Sequence, residues 1–256
     1  MLKVRSWRSA HEREIVKELL QVLSIPNVAD IRKNADLLKL LFERRGFHVE
    51  LIETPGSPIF VATRDFPGAS STTTFYLHYD CQPVDPKEWQ FSPPFAPVMV
   101  VNNQVVPADT SPINPEARIY ARSASDDKGP IVAMLATLDA LKASAIEPTR
   151  NLRVILDGEE EAGSPNFEKA ALAHAALLKG DVAIGIDGPR HASGRPTMNF
   201  GDRGNVGALI TVYGANHDLH SGNYGNWAPR SVDASGAPAR FHEGRARPRA
   251  NRRVLR

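Results

Sequence analysis

The sequence predicts an α/β protein whose sheet is covered by helices on both faces. Short apolar runs of strand length alternate with amphipathic helical runs from about residue 8 to residue 186. The runs LRVIL (152–156) and VAIGI (182–186) have the character of strands buried on both sides. Acids and a histidine stand just past the strand ends, where open α/β sheets gather their sites.

In chain order, Ile15, Leu19, Leu20 and Leu23 give residues 8–23 a helical face, ended by Pro26. A second amphipathic helix is expected over 29–45, with Gly46 placed to terminate it. Strands are expected at 47–52 and 59–62, with a Pro/Gly turn between them, and at 73–77, leading into His78. A helix over 130–143 precedes the strand 152–156. A helix over 166–178, stopped by Gly180, precedes the strand 182–186. A new strand is expected at 205–213, so a domain boundary is placed near residue 200.

The 256 residues suffice for one large α/β domain, or for one domain and part of another. The single cysteine, Cys81, excludes an intramolecular disulfide and a cysteine-based zinc site. The opening MLKVRSWRSAHEREIVKELL has no apolar signal core, and no run reaches the ~20 apolar residues of a membrane helix. A soluble, cytoplasmic protein without a membrane partner is expected.

The net charge of +2 hides an asymmetry. Residues 228–256 carry eight arginines against Asp233 and Glu243, so the body before them is acidic. The arginines have neither interleaved aromatics nor a helical face, which disfavours a nucleic-acid arm. The Arg/Ala/Pro/Gly bias is what out-of-frame reading of GC-rich DNA produces, and we expect an aberrant, disordered tail over 230–256.

The chemistry-bearing residues form one set. His78 offers a neutral nitrogen suited to a zinc-type ion, and Asp80 is placed to orient it. Asp126 and Asp127 occupy a strand-to-helix connection. A carboxylate there can cap the helix or bridge two cations. Of the adjacent Glu160 and Glu161, one can ligate metal while the other acts as general base. Asp187 supplies a further oxygen. Each alone reads as an ordinary turn or surface acid; together, on successive strand ends, they point to a metallohydrolase.

The segments LHYDCQPVDPKEW with SPPF, YARSASDDKGP, DGEEEAGS, IGIDG and DLHSGNYG follow one another in the chain. In that order they resemble the di-zinc metallopeptidases that include carnosinase-type dipeptidases, aminoacylase, acetylornithine deacetylase and succinyl-diaminopimelate desuccinylase. The resemblance spans about residues 8–229 and is strongest to the dipeptidase branch. It implies a zinc-peptidase-like mixed sheet with flanking helices over 1–200, and the beginning of an inserted α+β lid and dimerisation domain over 201–229. It implies two Zn2+ ions per intact site, with Mn2+ or Co2+ as substitutes.

By position, His78, Asp126, Glu161 and Asp187 match metal ligands, Asp126 being the bridging one. Asp80 matches the residue that orients His78, and Glu160 the general base; Glu159 falls outside these roles. The Asp126–Asp127 peptide bond is often cis in the family. His220 matches a lid histidine that polarises the scissile carbonyl in the partner's site of a homodimer, and Arg203 lies where the chain enters the lid. The implied substrate is a small peptide or an N-acyl amino acid.

Two departures stand out. Ala121 and Ser123 replace glycines, and tolerance is expected. His242 is the only histidine after the DLHSG motif, and its surroundings match none of the family's later motifs. The chain is therefore expected to be a truncated or frameshifted N-terminal portion of a dipeptidase, inactive by itself. The competing expectations are a non-catalytic metal-binding or interaction fragment, and an N-acyl amino acid deacylase.

Overall fold

The computed structural model describes residues 2–28, 31–109, 112–188, 191–201, 204, 206, 207, 209, 211, 213–225 and 228. The chain divides into two compact units, Met1–Arg190 and His191–Arg256.

The first unit is built on a five-stranded mixed sheet. Its strands are β1 (His48–Ile52), β2 (Ile59–Arg64), β3 (Thr72–His78), β7 (Asn151–Asp157) and β8 (Val182–Gly185), in spatial order β1-β2-β7-β3-β8. β7, β3 and β8 run parallel, whereas β1 and β2 are antiparallel to their neighbours. Period-2 alternation sends Val49, Phe60, Ala62, Val154 and Leu156 to one face, and Ile52, Ile59, Val61 and Ile155 to the other.

Helices α2 (Glu12–Leu23), α3 (Ile31–Glu43) and α4 (Lys128–Ala143) cover the first face through Val22, Leu38, Phe42, Ile131 and Leu135. Phe167, Ala170, Leu177 and Leu178 of α5 (Phe167–Ala173) and α6 (Ala175–Leu178) pack on the second. The sheet is thus covered on both faces, as expected.

Several boundaries differ from expectation. The first helical run is longer and interrupted: α1 (Leu2–Ala10) precedes α2, and His11 leaves the helical region at φ −116° while its ring stacks on Trp7 at 4.1 Å. The run over 166–178 likewise divides at His174, also at φ −116°. The end of α3 follows its glycine. Gly46 adopts φ +81°, its N–H donates to the Glu43 carbonyl, and the Phe47 N–H donates to the Phe42 carbonyl.

A second sheet was not expected. β4 (Val98–Val101), β5 (Gln104–Val106) and β6 (Arg118–Tyr120) form it in the order β5-β4-β6. The signal was Asn102-Asn103 between VMVV and QVV. Both asparagines take positive φ, 49° and 60°, as a two-residue hairpin turn requires.

In the second unit, α7 (Ser221–Tyr224) is the one regular element among the described residues. The strand expected at 205–213 is not formed by those described there: Val206, Gly207, Leu209, Thr211 and Tyr213 lie in no strand, and Val206, Leu209 and Tyr213 are exposed. An extended segment becomes a strand only when its backbone finds a hydrogen-bonding neighbour, and no strand is present among the described residues of this unit to provide one.

Tyr79 is fully buried at the exit of β3, and its hydroxyl donates to the Pro58 carbonyl at 2.6 Å. Tyr79→Phe leaves that carbonyl without its donor. The expected cost is about 1–3 kcal/mol, read as a lower urea midpoint with an unchanged slope. An unchanged midpoint would show that the bond contributes nothing net.

Candidate metal centre

Parallel pairing sets the carboxyl ends of β3, β7 and β8 side by side. His78 ends β3 opposite Asp157, which ends β7. Tyr76 pairs with Gly185, and the Ile186 N–H donates to the Tyr76 carbonyl, so Asp187 falls level with His78. The connection into α4 delivers Asp126 to the same place, through a cis Asp126–Asp127 peptide bond. Asp127 is buried, and its Oδ2 accepts the backbone N–H of His78 at 3.2 Å, tying the start of α4 to the end of β3. Gly129 permits the tight turn into α4, because a Cβ there would stand 2.2 Å from the Ala124 carbonyl oxygen.

The imidazole of His78 is fully buried. Its Nδ1 lies 3.2 Å from Asp80 Oδ1, and its Nε2 lies 2.7 Å from Asp126 Oδ1. Nε2 is also 3.9 Å from Asp187 Oδ2 and 4.0 Å from Glu160 Oε2. One ligand atom from each of His78, Asp126 and Asp187 lies within 4.8 Å of the other two. Ligand atoms of a tetrahedral ion with bonds of about 2.0–2.2 Å are roughly 3.3–3.6 Å apart. The three side chains therefore close on one ion with small adjustments, and a nitrogen with two carboxylate oxygens suits a zinc-type cation.

The electrostatics agree with that donor set. Burial opposes a charge on His78, but the hydrogen bond to Asp80, the charge of Asp127 and the hydrogen bond to Asp126 outweigh it and raise its pKa to about 9. The surrounding carboxylates thus favour positive charge at this position. Burial raises Asp127 to about 7, opposed by its hydrogen bond from His78. Glu160 is raised as well, first by burial and then by Asp187 and Glu161, with His78 working the other way.

The turn carrying Glu160 and Glu161 is held from beneath by Asp157. Oδ1 of this buried acid accepts the Glu159 N–H at 2.9 Å, and Oδ2 accepts the Ser164 hydroxyl at 2.6 Å and the Tyr76 hydroxyl at 3.1 Å. Glu160–Ala162 makes one 3-10 turn, ended by Gly163 at φ +83°. Glu161 does not join the three-ligand cluster. Its carboxylate instead accepts a hydrogen bond from the Gln82 amide at 2.7 Å. Glu159, set outside the metal roles in the sequence, bonds Asn166 at 2.7 Å.

His220 belongs to the second unit. Its Nδ1 accepts the Gly222 N–H at 3.1 Å, capping α7. Arg203, His242 and the 230–256 tail lie outside the described residues.

Sequence reasoning missed several supporting side chains. Buried Asn27 donates to the Tyr79 carbonyl at 2.8 Å and to Ser123 Oγ at 3.1 Å. Ser123 sits at φ 63°, a glycine-favouring conformation, and this bond helps explain why serine is accommodated there. Fully buried Lys128 donates from Nζ to the carbonyls of Val22 and Ile25 at 3.0 and 2.9 Å, and burial lowers its pKa to about 7. Gln82 stood inside the HYDCQPV motif, but nothing in its spacing marked its target.

Comparison with known proteins gives these residues a context. The model of Peptidase family M20/M25/M40 matches residues 74–248. The Cys-Gly metallodipeptidase dug1 of Schizosaccharomyces pombe is 28% identical over 231 residues, which cover 83% of this chain and 46% of that protein. The human Beta-Ala-His dipeptidase is 27% identical over 67% of this chain and 31% of its own length. The chain thus spans less than half the length of these relatives. The crystal structure of an M20 family metallo-carboxypeptidase from Sulfolobus solfataricus is 32% identical, with a TM-score of 0.59, over 72% of this chain and 39% of that one. Human carnosine dipeptidase 1 shares the fold, with a TM-score of 0.60 at 22% identity, over 73% of this chain and 41% of that one. The family match covers most of the chain and contains all the residues converging on His78, and we conclude that the chain belongs to Peptidase family M20/M25/M40.

Proposed function

We propose that this site is the metal centre of a zinc-dependent dipeptidase, and that the whole protein hydrolyses small peptides. The observation that carries the reading is the convergence of His78, Asp126 and Asp187, with Glu160 Oε2 4.0 Å from His78 Nε2. His78, Asp126 and Asp187 would hold a first ion, and Asp126 with Glu161 would contribute to a second. When bound there, a divalent ion would supply a more acidic water and a polarised scissile carbonyl.

Asp80 fixes the His78 ring by its bond to Nδ1, presenting Nε2 as a ligand. Glu160, raised by burial, takes a proton from water and returns it to the leaving amine. We further propose that residues 201–229 begin a lid, and that His220 acts on the carbonyl in the partner's site of a homodimer. The protein is taken as cytoplasmic, working without nucleic acid or membrane. No helix among the described residues is long and apolar enough to cross a membrane.

The relatives' names favour a dipeptide over an N-acyl amino acid. Because the chain spans 46% of the Schizosaccharomyces pombe relative, metal binding is the part of the activity assigned to this chain by itself, and turnover to the whole protein. The test assays Cys-Gly, β-Ala-His and N-acetyl amino acids with chelator-treated protein, before and after addition of zinc or manganese. The chain is assayed alone and joined to the C-terminal remainder of the Schizosaccharomyces pombe relative. Metal-restored dipeptide hydrolysis by the joined, cooperatively melting protein is expected, and metal binding without turnover by the chain alone. A folded, metal-loaded joined protein that cleaves no dipeptide would refute the reading. Preference for N-acetyl amino acids would make it a deacylase.

A further inference from the structure

We propose that Asn27 is a positioning residue for the metal site: its buried amide joins the strand exit beside His78 to the loop that delivers Asp126, and so holds these two ligands together. This rests on the reading of His78, Asp126 and Asp187 as ligands of one ion made above.

Asn27 lies between α2 and α3, before the residues 74–248 that match the family, and is 2% exposed. Its one amide nitrogen serves two acceptors. Nδ2 donates to the Tyr79 carbonyl at 2.8 Å and to Ser123 Oγ at 3.1 Å. Tyr79 follows His78 directly, and Ser123 stands three residues before Asp126. The same segment is anchored beyond the acid as well. Lys128, fully buried and two residues after Asp126, donates from Nζ to the Val22 and Ile25 carbonyls at 3.0 and 2.9 Å. Asn34 Nδ2 donates to the Pro26 carbonyl at 2.7 Å, which holds the segment on α3. Residues 22–27 therefore brace the Asp126 connection before and after the acid, and the exit of β3 beside it.

The brace has work to do because the Asp126 side chain is mostly exposed, although its Oδ1 stands 2.7 Å from His78 Nε2. Its place depends on how the backbone around it is held. The bond from the His78 N–H to Asp127 is one tie between the two segments, and Asn27 adds a second from a distant part of the chain. Ligands held in place before the ion arrives bind it more tightly, because the ion need not order the loop itself. An amide suits this task. Its nitrogen carries two hydrogens for two acceptors, and it brings no charge of its own to the acids and the ion. Outer partners of metal ligands typically tune affinity 10–100-fold. Asn27 acts through the neighbours of His78 and Asp126, so the lower end, about tenfold, is expected.

The test is zinc titration of the chelator-stripped 256-residue chain, read by competition with a chelating dye, beside urea unfolding of each variant. Asn27→Ala removes both bonds and is expected to weaken zinc binding about tenfold. Ser123→Ala removes only the bond on the Asp126 side and is expected to weaken it by a smaller factor. The two changes together are expected to be no worse than Asn27→Ala alone, since both break the same link. Ile59→Val trims the core on the other face of the sheet. It is expected to lower the urea midpoint and leave zinc affinity unchanged, which separates positioning from general destabilisation. Wild-type affinity in Asn27→Ala or Ser123→Ala, additive effects in the double variant, or an equal loss in Ile59→Val would each overturn the proposal while leaving the metal site standing. Should Asn27→Ala not fold, Ser123→Ala decides by itself: weakened zinc binding sustains the proposal, and wild-type binding ends it. Zinc binding by the wild-type chain that does not depend on His78 would remove the metal reading itself, and the proposal with it.

Discussion

Glu160→Gln in the joined protein is expected to lower dipeptide turnover by about 10²–10⁴-fold, the usual contribution of general-base catalysis, with bound metal unchanged. The side chain is two-thirds buried, and its pKa is raised first by that burial. Gln keeps the shape and one acceptor oxygen but loses the basic carboxylate. Glu160 is absent from the three-ligand cluster of His78, Asp126 and Asp187, so its loss leaves that cluster whole. Glu161→Gln is expected to act differently if Glu161 serves the proposed second ion, weakening metal binding and turnover together. The discriminating measurement is metal content by elemental analysis beside kcat. A Glu160→Gln protein that has lost its metal would make Glu160 a ligand, and one with full turnover would place the base elsewhere.

The second large effect is on metal affinity. His78→Ala is expected to weaken zinc binding by more than about 100-fold, beyond what loss of an outer partner causes. The imidazole is the one nitrogen in the cluster, and its loss leaves the ion only two carboxylate ligands from it. Its raised pKa adds a second signature. Metal must displace the proton that Asp80 and Asp126 hold on the ring. Since the folded pKa is about 9, the ring is protonated at pH 6–8. Affinity should therefore climb with pH, by about tenfold per unit for one displaced proton, and level off as pH passes the folded pKa. Zinc affinity is read by competition with a chelating dye from pH 6 to 9. His78→Ala should flatten the profile as well as lower it. An affinity independent of pH in the wild-type chain would mean that His78 is not the group displaced.

The same proton has a consequence for the metal-free fold. A histidine whose pKa is raised on folding stabilises the protein below its unfolded value, and that stability fades as pH rises toward 9. Lys128, lowered to about 7 by burial, works in the opposite direction above that pH. The two offset each other, so metal affinity, rather than the melting curve, is the clearer readout of His78.

The α/β class was legible in the chain because periodicity is a local property. Apolar runs such as FVA in β2 and VIL in β7 are buried wherever the sheet lies, and helical stripes such as Leu38, Leu41 and Phe42 must find a face to cover. The acids that converge on His78, namely Asp126 and Asp187, could be named from the chain because they stand in short motifs at strand ends, and the cis Asp126–Asp127 bond matched what the resemblance implied. The small β5-β4-β6 sheet was missed although Asn102-Asn103 announced its turn, since its strands are short and flank a loop-rich stretch.

Tertiary structure alone decided which side chains meet. His78, Asp126 and Asp187 are separated by 48 and 61 positions in the chain, and only the parallel register of β3 and β8 and the docking of α4 bring them within 4.8 Å. Likewise Asn27 reaches Tyr79 and Ser123, Lys128 reaches back to Val22 and Ile25, and Gln82 reaches Glu161. These bonds join segments whose spacing in sequence has no period. Spacing reports how a segment folds upon itself, whereas a hydrogen bond between distant segments depends on where the whole sheet and its helices place their ends.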